Sequence, residues 1–236
     1  MLSGLDRAEP PLGAVRRLTA GLLFVGAVVH AGFLVEVFLD TALSPWHTVP
    51  ARLSAAGQPY GEVFRVFDVV AGAAFVAAGP FLRRLAPVHR LGRATAALVW
   101  GYGAVLLVRA ALPPECVLQA AELCAAPTGR LGELPVILAG AQYVVSPLIV
   151  SLWWRGGWKA ATRALFAVQF GLWAWLVVAH ALFDGCYAGL AARAQVLVAS
   201  AFLLVGVRYV LRMGTARRTR RPDPTAEAPE AAACPG

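Results

Sequence analysis

The sequence predicts an all-α fold, a polytopic membrane helix bundle of six transmembrane helices with both termini in the cytoplasm. Three features carry that reading. Hydrophobic residues make up 59% of the 236-residue chain and charged residues only 14%, against about 45–50% and about 25% in a soluble domain. Apolar runs long enough to cross a bilayer recur along the chain. The basic residues crowd the alternate connections between those runs. A mean hydropathy of +0.66 sets aside both a soluble globular domain and a disordered chain. The formal charge of +8 does not indicate nucleic acid as a partner, because Arg flanks the spans instead of forming one basic face.

A spanning helix needs about 20 mostly apolar residues. After a cytoplasmic segment 1–17, such runs fall at Leu18–Asp40, Val66–Leu82, Ala94–Pro113, Leu134–Trp154, Ala161–Phe183 and Ala194–Met213. The first continues well past Ala31 to Glu36, too long for the apolar core of a signal peptide, so it reads as a retained anchor. With the N-terminus inside, the inner segments hold Arg16 and Arg17, then Arg83, Arg84, Arg90 and Arg93, then Arg155, Lys159 and Arg163, then the cluster from Arg208 to Arg221. The outer segments hold only Arg52, Arg65, Arg130 and Arg193. Positive charge stays inside. Residues 214–236 are rich in Arg, Pro, Ala and Glu and cannot bury a core, so they are expected to form a disordered cytoplasmic tail.

Two outer loops look folded. Residues 41–65 contain Trp46 and Tyr60, three prolines, a short helix expected around 51–56 that ends at Gly57, and Pro59 to start the second span. This loop is expected to fold back over the outer mouth. Residues 114–133 contain Cys116 and Cys124, which the predicted orientation places outside, where a structural disulfide is the favoured pairing and Cys186 is left over. No CxxC supports a metal or redox site, and neither metal nor cofactor is expected.

Ionisable groups inside spans cost at least about 2.5–3.5 kcal/mol at the bilayer centre, so each needs a partner or water. His30 sits near the middle of span one, with Glu36 and Asp40 toward its outer end; Asp68 opens span two behind Arg65; Arg109 lies a turn inside span three; His180 and Asp184 end span five. Glu36 and Asp40 are four apart and share a face of an α-helix, as do His180 and Asp184. Gln169, Trp173, His180 and Asp184 fall within about a 60° sector at 100° per residue, and Gln142 and Ser146 form a similar pair on span four. The expectation is an outward-opening polar pocket among spans one, two, three and five, with Arg65 and Arg109 offsetting the acids. The plainer alternative is a set of structural clips at the membrane boundary.

The runs EVFLDTALSP, LSAAGQPYGEVFRVFDVVAG, LPPECVLQAAELCAAP and GLAARAQVLVAS resemble the family catalogued as domain of unknown function 998. The resemblance covers roughly residues 18–213 and implies a six-span protein of the bacterial plasma membrane. It has two departures. The acid of the family's first-loop Ser-Glu is missing from Arg52-Leu53-Ser54, and the family's His-rich segment after the second cysteine is replaced here by TGRLGELP. An activity carried by those histidines would be absent from this chain.

Three classes of function remain. A lipid- or small-molecule-binding protein, with membrane lipids around it and a lipid or isoprenoid-like molecule as ligand, asks least of the residues. A membrane enzyme would use the acids and histidines on a lipid or protonate an isoprenoid, but no GxSxG or HExxH motif supports it. A small-solute transporter would show repeats and broken helices, of which only Pro147 is a sign.

Overall fold

The computed structural model describes residues 12–41, 43–55, 57–86, 89–112, 134–183 and 187–212, without the side chains of 134–136 and 180. Six α-helices follow in order: α1 (Leu12–His30), α2 (Gly61–Leu85), α3 (Arg90–Ala111), α4 (Leu134–Trp153), α5 (Gly157–Leu182) and α6 (Ala188–Arg212). Two 3-10 segments, Ala31–Phe38 and Pro50–Ser54, join the first two helices, and no strand occurs among the described residues. Five segments are long and apolar enough to cross a membrane: Leu12–Phe38, Gly61–Leu85, Arg90–Ala111, Gly157–Ala179 and Ala188–Arg212. The apolar stretch Ile137–Trp153 in α4 is shorter. The chain is a multi-pass membrane protein. The 1–11 and tail segments, the loop with Cys116 and Cys124, and Asp184, Cys186 and Cys234 lie outside the described residues.

Each helix packs on the next, and α6 closes back on α1. Six helices in a ring leave an axis that side chains must fill. Large residues do so where the ring is tightest, with Phe75 and Leu106 fully buried. The closest approach is between α2 and α3. A Cβ at Gly103 would stand 2.6 Å from the carbonyl oxygen of Gly72, and one at Gly79 would stand 2.9 Å from the Trp100 Cβ. The small residues Gly72 and Gly79 therefore serve close packing, as membrane helices require, whereas Ala73 and Ala77 on the same helix are exposed.

The first span departs from the expected single α-helix. Its winding tightens after His30 and remains 3-10 to Phe38. At three residues per turn, positions i, i+3 and i+6 eclipse, so His30, Phe33 and Glu36 line up on one side; α-helical winding would swing Glu36 about 120° away. The same tightening overturns the expected Glu36–Asp40 face, because the segment ends at Phe38 and Asp40 is exposed beyond it. The start of α2 falls before the apolar run expected from Val66 but after Pro59, the residue expected to open the helix. Gly61 begins it behind Tyr60, which takes a left-handed φ of 62°, leaving Pro59 in the preceding turn.

Replacing Gly103 with Ala forces α2 and α3 apart and should cost about 1–3 kcal/mol, read as a lower thermal unfolding midpoint in detergent. Gly171→Ala, where nothing lies within 4 Å of the added Cβ, should leave the midpoint unchanged or raise it. Equal midpoints for the two variants would show that the α2–α3 contact is not tight.

Candidate functional site

A cavity of about 150 Å³ lies on the ring axis beneath the first loop, and every helix contributes to its wall. Its polar groups are His30 from α1, Asp68 from α2, Arg109 from α3, Tyr143 from α4, Gln195 from α6 and Ser54 from the 3-10 turn above. Phe33, Phe64 and Leu176 supply apolar wall between them.

Arg109 and Asp68 form a two-pronged pair. The Arg109 Nε donates to Asp68 Oδ2 at 2.8 Å, and Nη2 donates to Oδ1. Their side chains are only 13% and 9% exposed, so each charge depends on the other. Arg109 lies in the last turn of its helix, and Asp68 is one of the four acids that Arg65 and Arg109 together were expected to offset.

One level deeper, three rings converge. Tyr102 Oη lies 2.8 Å from His30 Nε2, Tyr143 Oη lies 3.0 Å from the same nitrogen, and Tyr102 donates to Tyr143 over 3.0 Å. His30 is 7% exposed. A ring nitrogen makes one in-plane hydrogen bond, so the three contacts cannot all be satisfied together. With Nε2 bare, Tyr143 donates to it and the Nδ1–H is left with a 3.4 Å approach to Tyr102. With Nε2 protonated, it donates to Tyr102 and the Tyr143 O–H is left over. Gln195 adds another unpaired donor: its Nε2 is buried without a partner, while its backbone carbonyl accepts from Gln169 Nε2 at 2.9 Å.

The roof is held by Arg193. Its Nε and Nη2 donate to the two oxygens of Glu36 at 2.5 and 2.7 Å, and its Nη1 donates to the carbonyls of Pro45 and Thr48 at 2.6 Å each and of Gly189 at 3.2 Å. Gly189 lets α6 reach the loop, since a Cβ there would meet the Pro45 oxygen at 2.6 Å, and its N–H donates to the Trp46 carbonyl at 3.0 Å. The loop thus folds back over the cavity and buries its own Leu53 and Ser54.

A family model described as a protein of unknown function, DUF998, matches residues 18–209. The chain belongs to the DUF998 family. Comparisons with curated proteins and with solved structures find no match. The runs that carry the DUF998 resemblance supply much of this site: EVFLDTALSP brings Glu36, LSAAGQPYGEVFRVFDVVAG brings Ser54 and Asp68, and GLAARAQVLVAS brings Arg193 and Gln195.

Several expected partnerships are corrected. Glu36 pairs with Arg193, not with Arg65 or Arg109. Arg65 lies outside the cavity wall and donates to Glu62 at 2.9 Å and to the Ser54 carbonyl at 3.1 Å, fastening the loop to α2. Gln142 faces a second, smaller cavity, where its Oε1 is buried without a partner. The expected polar face of α5 divides: Gln169 is fully buried and Trp173 is 42% exposed. The position of His180 lies within α5, but its side chain and Asp184 fall outside the description, so that pair adds nothing to the geometry. Tyr102, Tyr143 and Gln195 were missed as site residues. The signal for Tyr102 was its spacing of seven from Arg109, two turns along one face.

Among the described residues no group of three His, Cys, Asp or Glu side chains is placed to hold a metal ion.

Losing one partner of a buried ion pair costs about 3–5 kcal/mol, and losing both costs less. Arg193→Met should therefore lower the unfolding midpoint sharply and expose the first loop to protease. Adding Glu36→Leu should recover part of the loss. Additive effects of the two substitutions would mean that the pair is not coupled.

Proposed function

We propose that this protein crosses the bacterial plasma membrane six times with both termini in the cytoplasm, and that it binds a small molecule, or the polar end of a lipid, in the axial cavity beneath its first outer loop. The sixth span is α4. Its 20 residues reach about 30 Å at 1.5 Å per residue, the thickness of the hydrocarbon core. The charge distribution of the connecting segments supports the orientation.

The observation that carries the binding reading is the convergence of buried polar groups from α1, α2, α3, α4 and α6 on one cavity whose charges cancel. Asp68 and Arg109 neutralise one another, so the cavity suits a neutral ligand group. The unpaired Gln195 amide, together with the proton left over in the His30–Tyr102–Tyr143 triangle, suits a group rich in hydrogen-bond acceptors, such as a carbonyl or hydroxyl. At about 150 Å³ the cavity matches in volume one of about 150 Å³ that takes up a benzene-sized molecule. That is room for a head group or a compact solute, with any long apolar tail lying outside. A folded isoprenoid does not fit, which weighs against cyclisation. Each acid and base is also committed to a structural partner, an arrangement suited to recognition more than to proton transfer.

Native mass spectrometry of the protein released from its membrane in mild detergent tests the reading. Wild-type protein should carry a small-molecule adduct, and Ala139→Leu, which fills the cavity wall, should lose it while keeping the unfolding midpoint within a few degrees. Wild-type protein without an adduct, even after incubation with lipid extract of its own membrane, would overturn it. The orientation has its own test. In a background with the native cysteines replaced by serine, His47→Cys should react with an impermeant thiol reagent on intact cells, and Arg155→Cys only after lysis. The reverse pattern would invert the map.

A further inference from the structure

The cavity beneath the first loop is not alone on the axis. A second cavity of about 40 Å³ lies below it between α2, α3, α4 and α6, and Tyr143 lines both. A third, of about 70 Å³, continues from the second, sharing Thr95, Val99, Phe202 and Leu203 with it, and runs on to Leu85, Ala86 and Val210 at the opposite end of the helices. One layer of side chains, His30, Tyr102 and Tyr143, separates the first cavity from the other two. The hollow axis therefore extends from under the loop almost to the other ends of α2 and α6, interrupted at a single level.

That level has a device for movement. Pro147 lies in α4, fully buried, four residues after Tyr143. Proline has no N–H, so the carbonyl of Tyr143 lacks the helical hydrogen bond that residue 147 would normally give it, and α4 is free to bend at that turn. The barrier's own bonds are the ones that cannot all form at once, as the single Nε2 of His30 faces two hydroxyls. Gln142 and Ser146, one residue before Tyr143 and Pro147 respectively, put polar groups into the second cavity, where the Gln142 Oε1 is buried without a partner.

We infer that the His30–Tyr102–Tyr143 layer is a gate, that α4 hinges at Pro147 to swing Tyr143 aside, and that the opened axis passes a small neutral solute across the bundle. The inference rests on the axial cavity being an accessible site, with that cavity as its vestibule. The solute is neutral because no charged side chain lines either lower cavity, so an ion there would lose its hydration without a counter-charge. It is compact because the second cavity, at about 40 Å³, is the smallest of the three. The hydroxyl and amide groups at the gate match a molecule that both donates and accepts, such as a small amide or polyol.

Stopped-flow light scattering of proteoliposomes, with urea and glycerol as probes, tests this. Wild-type vesicles should relax faster than empty ones with at least one of the two. Tyr143→Phe keeps the ring but removes the hydroxyl that bridges Tyr102 and His30. It should open the gate more often, raising the rate by about tenfold, the equivalent of 1.36 kcal/mol. Pro147→Ala restores the hinge hydrogen bond and should bring the rate toward that of empty vesicles. If wild-type and Tyr143→Phe vesicles both match empty ones, the inference is overturned. If only Tyr143→Phe conducts, the layer is a fixed seal and the gate is overturned. Both probes are measured on protein whose adduct has been checked by native mass spectrometry, so a failed gate with the adduct present leaves the binding reading intact, and a missing adduct strikes the vestibule itself.

Discussion

The half of the molecule that carries the first loop depends on what becomes of the Arg193 guanidinium. It sits where α6, α1 and the first loop meet, 7% exposed, and a cation in that position is tolerable only if its donors are met. Glu36 takes two of them along the plane of the group, the geometry in which arginine outperforms lysine. The backbone carbonyls of Pro45, Thr48 and Gly189 share the two on Nη1. Through these contacts one side chain fixes the end of the first span, the course of the loop and the first turn of α6. The 3-10 winding of Ala31–Phe38 belongs to the same solution, because it turns Glu36 toward the ring.

Below that clamp the structure repeats the principle with less charge at each level. Arg109 and Asp68 form a closed pair whose net charge is zero. The next level, His30 with Tyr102 and Tyr143, holds only neutral hydrogen-bonding groups, and beyond it the axis is walled by residues such as Val99, Phe202 and Leu203. Polarity thus declines along the axis away from the loop. This gradient is what a medium of low dielectric constant imposes, since each step inward raises the cost of an unpaired group. The tight α2–α3 contact at Gly72 and Gly103 sets the height at which Tyr102, beside Gly103, reaches His30.

Much of this was legible in the sequence because the membrane leaves few choices. Helices must run about 20 residues, positive charge must stay inside, and an embedded Arg109 or Asp68 must find a partner. What was not legible came from local winding and from the range of long side chains. A hydropathy reading ends a span at the first arginine, so α6 was started at Ala194 when it begins at Ala188, and Arg193 was counted as a loop charge. Spacing rules for an α-helix paired Glu36 with Asp40, and the 3-10 segment breaks that pairing. Tyr102 and Tyr143 were not singled out, since nothing in composition shows that their hydroxyls meet a buried histidine from different helices.

The two arginine–carboxylate pairs also differ in what they restrain, and the difference bears on how the cavity could be filled. Arg193–Glu36 ties the loop to α6, so breaking it would lift the roof. Arg109–Asp68 ties α2 to α3, which the glycine contact already holds together, so its removal would change the character of the cavity more than its shape. A ligand entering beneath the loop meets the second pair while the first stays closed overhead. The wall opposite, from α4 and α5, lacks a comparable ionic tie to the rest of the ring among the described residues, and α4 carries the proline. Rearrangement around a ligand is therefore easiest on the α4 side, with α1, α2, α3 and α6 acting as the fixed frame.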